Sequence, residues 1–67
     1  MTTQSKRILR LNTVIERTGR SRSSIYADMD LGNFPRAFKL GARAIGWLES
    51  DIENWIQERI QHSHLPE

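Results

Sequence analysis

Cysteine is absent from the 67 residues, which removes disulfide staples and thiolate metal centres from consideration. A small domain that holds together without such braces reads as intracellular. No apolar run approaches the roughly 18 residues that a membrane helix needs, and no apolar stretch for export stands at the N-terminus. The expected compartment is therefore the cytoplasm, with no membrane partner. Aromatic residues are few, two Trp, two Phe and one Tyr, so a core has to use most of them; Trp47 and Phe38 are expected inside. A chain of this length buries only about 60% of its unfolded surface, enough for one compact core. The expectation is a single domain over 1–67, ordered from about 7 to 61. There is no room for a Rossmann unit, a barrel or a two-domain cleft.

The chemistry of catalysis is also missing. Gly41-Ala42-Arg43 is too short for a phosphate-cradling loop. The two histidines have no positioned nucleophile, and His62-Ser63-His64 sits in a tail with no second cluster of ligands, so it reads as solvated. No enzyme activity, no metal and no cofactor is expected.

Acidic residues are scarce where basic ones are dense. From Met1 to Trp47 nine Lys and Arg face three acids, a net of +6; from Leu48 to Glu67 one Arg faces five, a net of −4. Such asymmetry implies a cationic working surface and a separate acidic element. Eight of the ten basic residues are Arg, whose planar fork fits phosphate and guanine edges as Lys does not.

The pattern of residues places those charges. Met1 to Lys6 is a polar tail and Arg7 to Leu11 an extended lead-in or short strand. Asn12 is a good N-cap for a helix over Thr13 to Thr18, which Gly19 stops in the left-handed conformation. Ser21 caps a second helix, Arg22 to Leu31, ended by Gly32-Asn33 and kept from continuing by Pro35. On its wheel Ile25 and Met29 lie together, with Ser23, Ala27 and Asp30 opposite. Two short helices joined by Gly19-Arg20 make a helix-turn-helix candidate. Ala37-Phe38-Lys39-Leu40 and Ala44-Ile45-Gly46-Trp47 read as a β-hairpin with Arg43 at its tip. Ser50 and Glu53 form a capping-box pattern for a third helix, Asp51 to about Gln61, with Ile52, Trp55, Ile56 and Ile60 as its apolar stripe. Ser63 to Glu67 is expected to fray.

A second helix whose N-terminus carries Arg20, Arg22, Ser23 and Ser24 fits entry into a DNA major groove, and a basic hairpin behind it fits a wing onto backbone or minor groove. The same residues also suit an ordinary helical corner with solvated charge. A module that docks on another protein through its acidic helix is a further possibility that the charges leave open.

The ordered set Leu9-Arg10-Leu11, Thr18 to Tyr26, Gly32 to Pro35, Lys39 to Trp47 and Glu49 to Ile56 resembles the AlpA family of phage regulators, over nearly the whole chain. That family is similar to small excisionases and to the DNA-binding head of MerR proteins. The resemblance implies a small α+β winged helix-turn-helix: three helices plus a hairpin wing. It implies a transcriptional regulator of a prophage or genomic island that binds double-stranded DNA and controls integrase expression. An excision factor that bends attachment-site DNA is the alternative. Integrase or further copies of the chain are implied partners. Carried over by position, the DNA-binding set is Arg20, Ser21, Arg22, Ser23, Ser24, Tyr26 and Ala27 around the recognition helix, with Arg36, Lys39 and Arg43 around the wing. The chain departs from the family pattern at Ala27 and Asp30, where a basic or longer polar residue is usual. This leaves room for readout through DNA shape.

Overall fold

The computed structural model describes residues 7–62; the tail residues 1–6 and 63–67, including His64, lie outside the described residues. Six elements follow in order: β1 (Ile8–Arg10), α1 (Leu11–Thr18), α2 (Arg22–Leu31), β2 (Phe38–Lys39), β3 (Ile45–Leu48) and α3 (Glu49–His62). The strands form an antiparallel sheet in the order β1-β3-β2. Leu9 stands opposite Trp47, and Phe38 opposite Gly46. This is the expected α+β arrangement, with the sheet closed by one more strand than the hairpin alone.

Glycine ends both helices of the pair. Gly19 has φ 72°, and its N–H donates to the Ile15 carbonyl at 2.9 Å. Gly32 has φ 79°; it donates to Met29 O at 3.1 Å, while Asn33 N–H reaches Asp28 O at 2.8 Å. That pairing is a Schellman motif, which satisfies the last carbonyls of α2. Ser21 caps α2 as its type predicts, accepting from Ser24 N–H at 3.2 Å.

The core is Leu9, Val14, Ile25, Phe34, Trp47 and Ile52, one residue from every element but β2, with Phe34 from the segment between α2 and β2. Leu11, Ile15, Met29, Ala37, Ile45, Trp55 and Ile56 pack around it. Trp47 is wholly buried, and its indole N–H is satisfied by the Pro35 carbonyl at 2.9 Å. Phe34 meets Trp47 edge-on, with centroids 6.2 Å apart. The segment 33–37 is thus pinned under the sheet rather than left as a free loop.

Several boundaries and one core assignment differ from the sequence reading. α1 begins at Leu11 with Arg10 in the cap position and no side-chain cap, so Asn12 lies inside the first turn. Strand pairing holds the chain extended through Arg10, opposite Gly46, and the helix starts directly behind it. α3 begins at Glu49, and Ser50 is within the helix rather than capping it. Its start is fixed by the sheet, since Glu49 N–H donates to Arg7 O at 2.8 Å. Glu53 turns to Arg17 instead of back to Ser50. Phe38 is 38% exposed rather than in the core. Its register opposite Gly46 puts it on the sheet face away from Trp47, because side chains alternate along a strand. Phe34 takes the core place instead. Ile60, at the far end of the α3 stripe, extends past the core and is 53% exposed.

Three glycines allow a test. A Cβ on Gly46 in the central strand would lie 2.7 Å from Ile8 Cγ2, 3.0 Å from Leu40 Cδ1 and 3.1 Å from the Leu9 carbonyl oxygen, whereas one on Gly41 meets nothing. Gly46→Ala should cost about 1–3 kcal/mol through overpacking against the Ile8 and Leu40 side chains and the Leu9 carbonyl. Gly41→Ala should stay within about 0.5 kcal/mol of the parent. Gly19→Val, at positive φ, should cost about 1–2 kcal/mol. Thermal unfolding of the three variants checks the order.

Candidate nucleic-acid interface

α2 presents two faces of different chemistry. Ile25 is wholly buried and Met29 packs beside it, while Arg22, Ser23, Tyr26, Ala27 and Asp30 are exposed. At about 100° per residue Ser23, Ala27 and Asp30 lie on the side of the helix opposite Ile25, with Tyr26 and Arg22 on one flank, about 100° and 60° from it. Tyr26 is 42% exposed, an apolar ring with a polar tip held outside the core. Ser24 is half-buried. Its backbone N–H is held by Ser21, and its hydroxyl accepts from the Ser21 hydroxyl at 3.1 Å. Ser21 and Ser24 are therefore engaged with each other at the helix N-terminus, whereas Ser23 is open to solvent.

The hairpin carries the second group. Leu40 N–H donates to Ala44 O at 2.7 Å and closes the loop 40–44, leaving Gly41, Ala42 and Arg43 exposed at its tip. Lys39 is exposed on β2, opposite Ile45. Arg36 follows the pinned Pro35 and is exposed beside α3, where it lines an open groove with Asp51, Glu58 and Arg59. Arg22, Arg36, Lys39 and Arg43 form no ion pair with an acid among the described residues.

Arg20 is placed differently. Its guanidinium donates to Asp28 Oδ2 of α2 and lies 5.9 Å from the Trp55 ring centroid of α3. The Trp55 indole N–H donates to Asn33 O at 2.9 Å, and Arg59 sits over the same ring at 4.9 Å. Phe34 packs on Trp55 with centroids 4.9 Å apart. Arg17, not singled out by sequence, forks its two terminal nitrogens to Glu49 and Glu53, both at 2.6 Å. Only the three-dimensional meeting of α1 with the first turn of α3 shows these contacts, since the partners are 32 and 36 residues apart. Asp28 and Asn33 were missed for the same reason: the groups that pair with them stand eight and 22 residues away, outside helical spacing.

No cluster of His and acidic residues among the described residues could hold a metal ion, and no described helix is long and apolar enough to cross a membrane. The site thus consists of a polar helix face that carries Arg22 and Asp30 and a basic hairpin, with four of the seven described acidic residues on α3.

A helix pair with a glycine turn, followed by a cationic hairpin and backed by a third helix, defines a winged helix-like protein. Residues 7–60 match the family described as prophage CP4-57 regulatory protein (AlpA), and the chain belongs to that family. It is similar to the protein named DNA-binding transcriptional activator AlpA of Escherichia coli (strain K12), with 37% identity over 61 residues, covering 82% of this chain and 87% of that one. It is also similar to ORF88 of Enterobacteria phage P4, with 38% identity over 55 residues, covering 82% of this chain and 62% of the phage protein. No solved structure matches the chain significantly.

Proposed function

We propose that the chain binds duplex DNA and regulates transcription. The observation that carries this is the exposed face of α2, polar and partly basic, followed by a hairpin whose basic side chains have no acidic partner among the described residues, in a chain similar to a named DNA-binding activator. α2 enters the major groove by its N-terminal half. Ser23 and Tyr26 face base edges, Tyr26 also fitting a thymine methyl, and Ala27 lets the helix approach closely. Ser21, Arg22 and Ser24 surround the helix N-terminus, where backbone N–H groups favour a phosphate. Arg43 at the hairpin tip meets backbone or a narrow minor groove, with Arg36 and Lys39 on neighbouring phosphates. The acidic α3 faces away from the duplex.

The finer reading is a regulator carried by a prophage or genomic island, acting on integrase expression. The family description and the similarity to a phage protein support it. Footprinting on the DNA around an adjacent integrase gene tests it. Protection of one site upstream of the promoter is expected, whereas repeated half-sites confined to the attachment region would replace it with direct action in excision.

Binding should be steep in salt. The four cations assigned to phosphates, Arg22, Arg36, Lys39 and Arg43, have no acidic partner among the described residues, and at about 0.9 per neutralised phosphate they give a log–log slope of roughly −3 to −4. Titration against random duplex at several salt concentrations measures this; a slope near zero would leave a protein-docking module as the better reading.

Helix and hairpin variants should differ in kind. Arg43→Ala should weaken target and scrambled duplex alike and make the slope shallower by about one. Ser23→Ala and Tyr26→Ala should each cost on the order of 1–3 kcal/mol on the target alone and leave the slope unchanged. Loss of discrimination in Arg43→Ala with none in the other two would make the hairpin the reader.

A further inference from the structure

Arg20 stands at the turn of the helix pair, where a cation invites assignment to a phosphate. Its surroundings indicate another role. The guanidinium is directed at Asp28, two turns along the inner flank of α2, and its side chain is only 30% exposed, with that of Asp28 at 15%. Asp28 lies about 60° from the buried Ile25 on the helix wheel, well away from the open face of Ser23, Ala27 and Asp30. On its other side the guanidinium borders the ring of Trp55, which is itself fastened to Asn33 just past the end of α2. The Arg20 backbone N–H is tied to Thr18 Oγ1 at 3.3 Å, and that hydroxyl donates to Val14 O at 2.7 Å. One side chain thus joins the turn, the recognition helix and α3.

We infer that Arg20 is a positioning residue rather than a DNA ligand: with Asp28 and Trp55 it sets the angle at which α2 is presented. The inference rests on the DNA-binding reading of α2 and sharpens it. Among the described residues, the charged groups that share this surface are Arg59, stacked on the same Trp55 ring, and Arg17, already bound to Glu49 and Glu53. An arginine closed between a carboxylate and an indole is not available to release a counterion from DNA. It can act on recognition only by fixing the helix that reads the bases. Asp28 is then part of the reading apparatus without touching DNA, although an acid on a recognition helix is ordinarily a penalty for binding.

A double-mutant cycle on Arg20→Ala, Asp28→Asn and the pair tests this. The probes are a duplex selected by the parent chain from a randomised pool and a scrambled duplex of the same composition. The target-to-scrambled affinity ratio should fall at least about threefold in each single variant, the low end of couplings between contacting residues. The double variant should be no worse than either single one. The salt slope should not change in Arg20→Ala or in the double variant. The opposite result would overturn the inference: Arg20→Ala making the slope shallower by about 0.9, with Asp28→Asn tightening binding to both duplexes and steepening it, marks Arg20 as a phosphate ligand. If Arg20→Ala does not fold, Arg20→Met keeps the stem against the Trp55 ring and removes only the charge, with the same expected and overturning slopes. A parent chain that binds neither duplex at any salt overturns the DNA reading instead, and non-additive melting temperatures in the same cycle would still support the Arg20–Asp28 link.

Discussion

Burial of Trp47 is the constraint on which the rest of the structure depends. A domain this small has one core, and its largest side chain is placed in the central strand with no exposed surface. An indole buried there needs a partner for its N–H, because an unsatisfied buried donor costs about 1–3 kcal/mol. The Pro35 carbonyl supplies it, which draws the segment after α2 beneath the sheet and brings Phe34 edge-on to the ring. With that segment held, the hairpin emerges at a fixed place relative to α2. The chain between Leu31 and Phe38 has no regular structure of its own, yet it decides how the two halves of the proposed interface are related.

A second layer of contacts is electrostatic and sits at the boundary of the core. α3 carries the chain's acidic excess, and two arginines of the helix pair turn toward it rather than toward solvent. Arg17 forks onto Glu49 and Glu53, and Arg20 joins Asp28 beside Trp55. Ion pairs as open to solvent as those of Arg17 are worth little singly, about 1 kcal/mol or less, and the Arg20–Asp28 pair is more enclosed. Their value lies in direction, since each links elements that the apolar core alone would leave free to rotate. They also sort the basic residues into two groups. Arg17 and Arg20 are neutralised internally, while Arg7, Arg10, Arg22, Arg36, Lys39, Arg43 and Arg59 have no acidic partner among the described residues. The cationic surface available to a polyanion is accordingly smaller, by Arg17 and Arg20, than the count of basic residues in the first two-thirds of the chain indicates.

Much of this was legible in the residues themselves. Gly19, Ser21 and Gly32 mark the ends of the helix pair because left-handed backbone and N-cap hydrogen bonds are properties of single residues and their close neighbours. The buried side of α2 followed from the spacing of Ile25 and Met29, and the hairpin from apolar runs about a glycine loop. Starts of helices were less legible. Asn12 and Ser50 have the chemistry of caps, but each follows a strand whose pairing already determines where the chain turns. Phe38 shows the same limit inside a strand, where a shift of register by one residue exchanges core for solvent.

What the sequence by itself determined was the class of fold, the family, and the side of α2 that faces outward, all of which rest on local periodicity and on an ordered set of short motifs. Only tertiary structure decided which cations remain open, which aromatic fills the core beside Trp47, and how α2 is braced against α3. Those are properties of pairs far apart along the chain. Arg17 meets Glu53 across 36 residues and Trp55 meets Asn33 across 22, and no local pattern encodes the packing that brings them within hydrogen-bond distance.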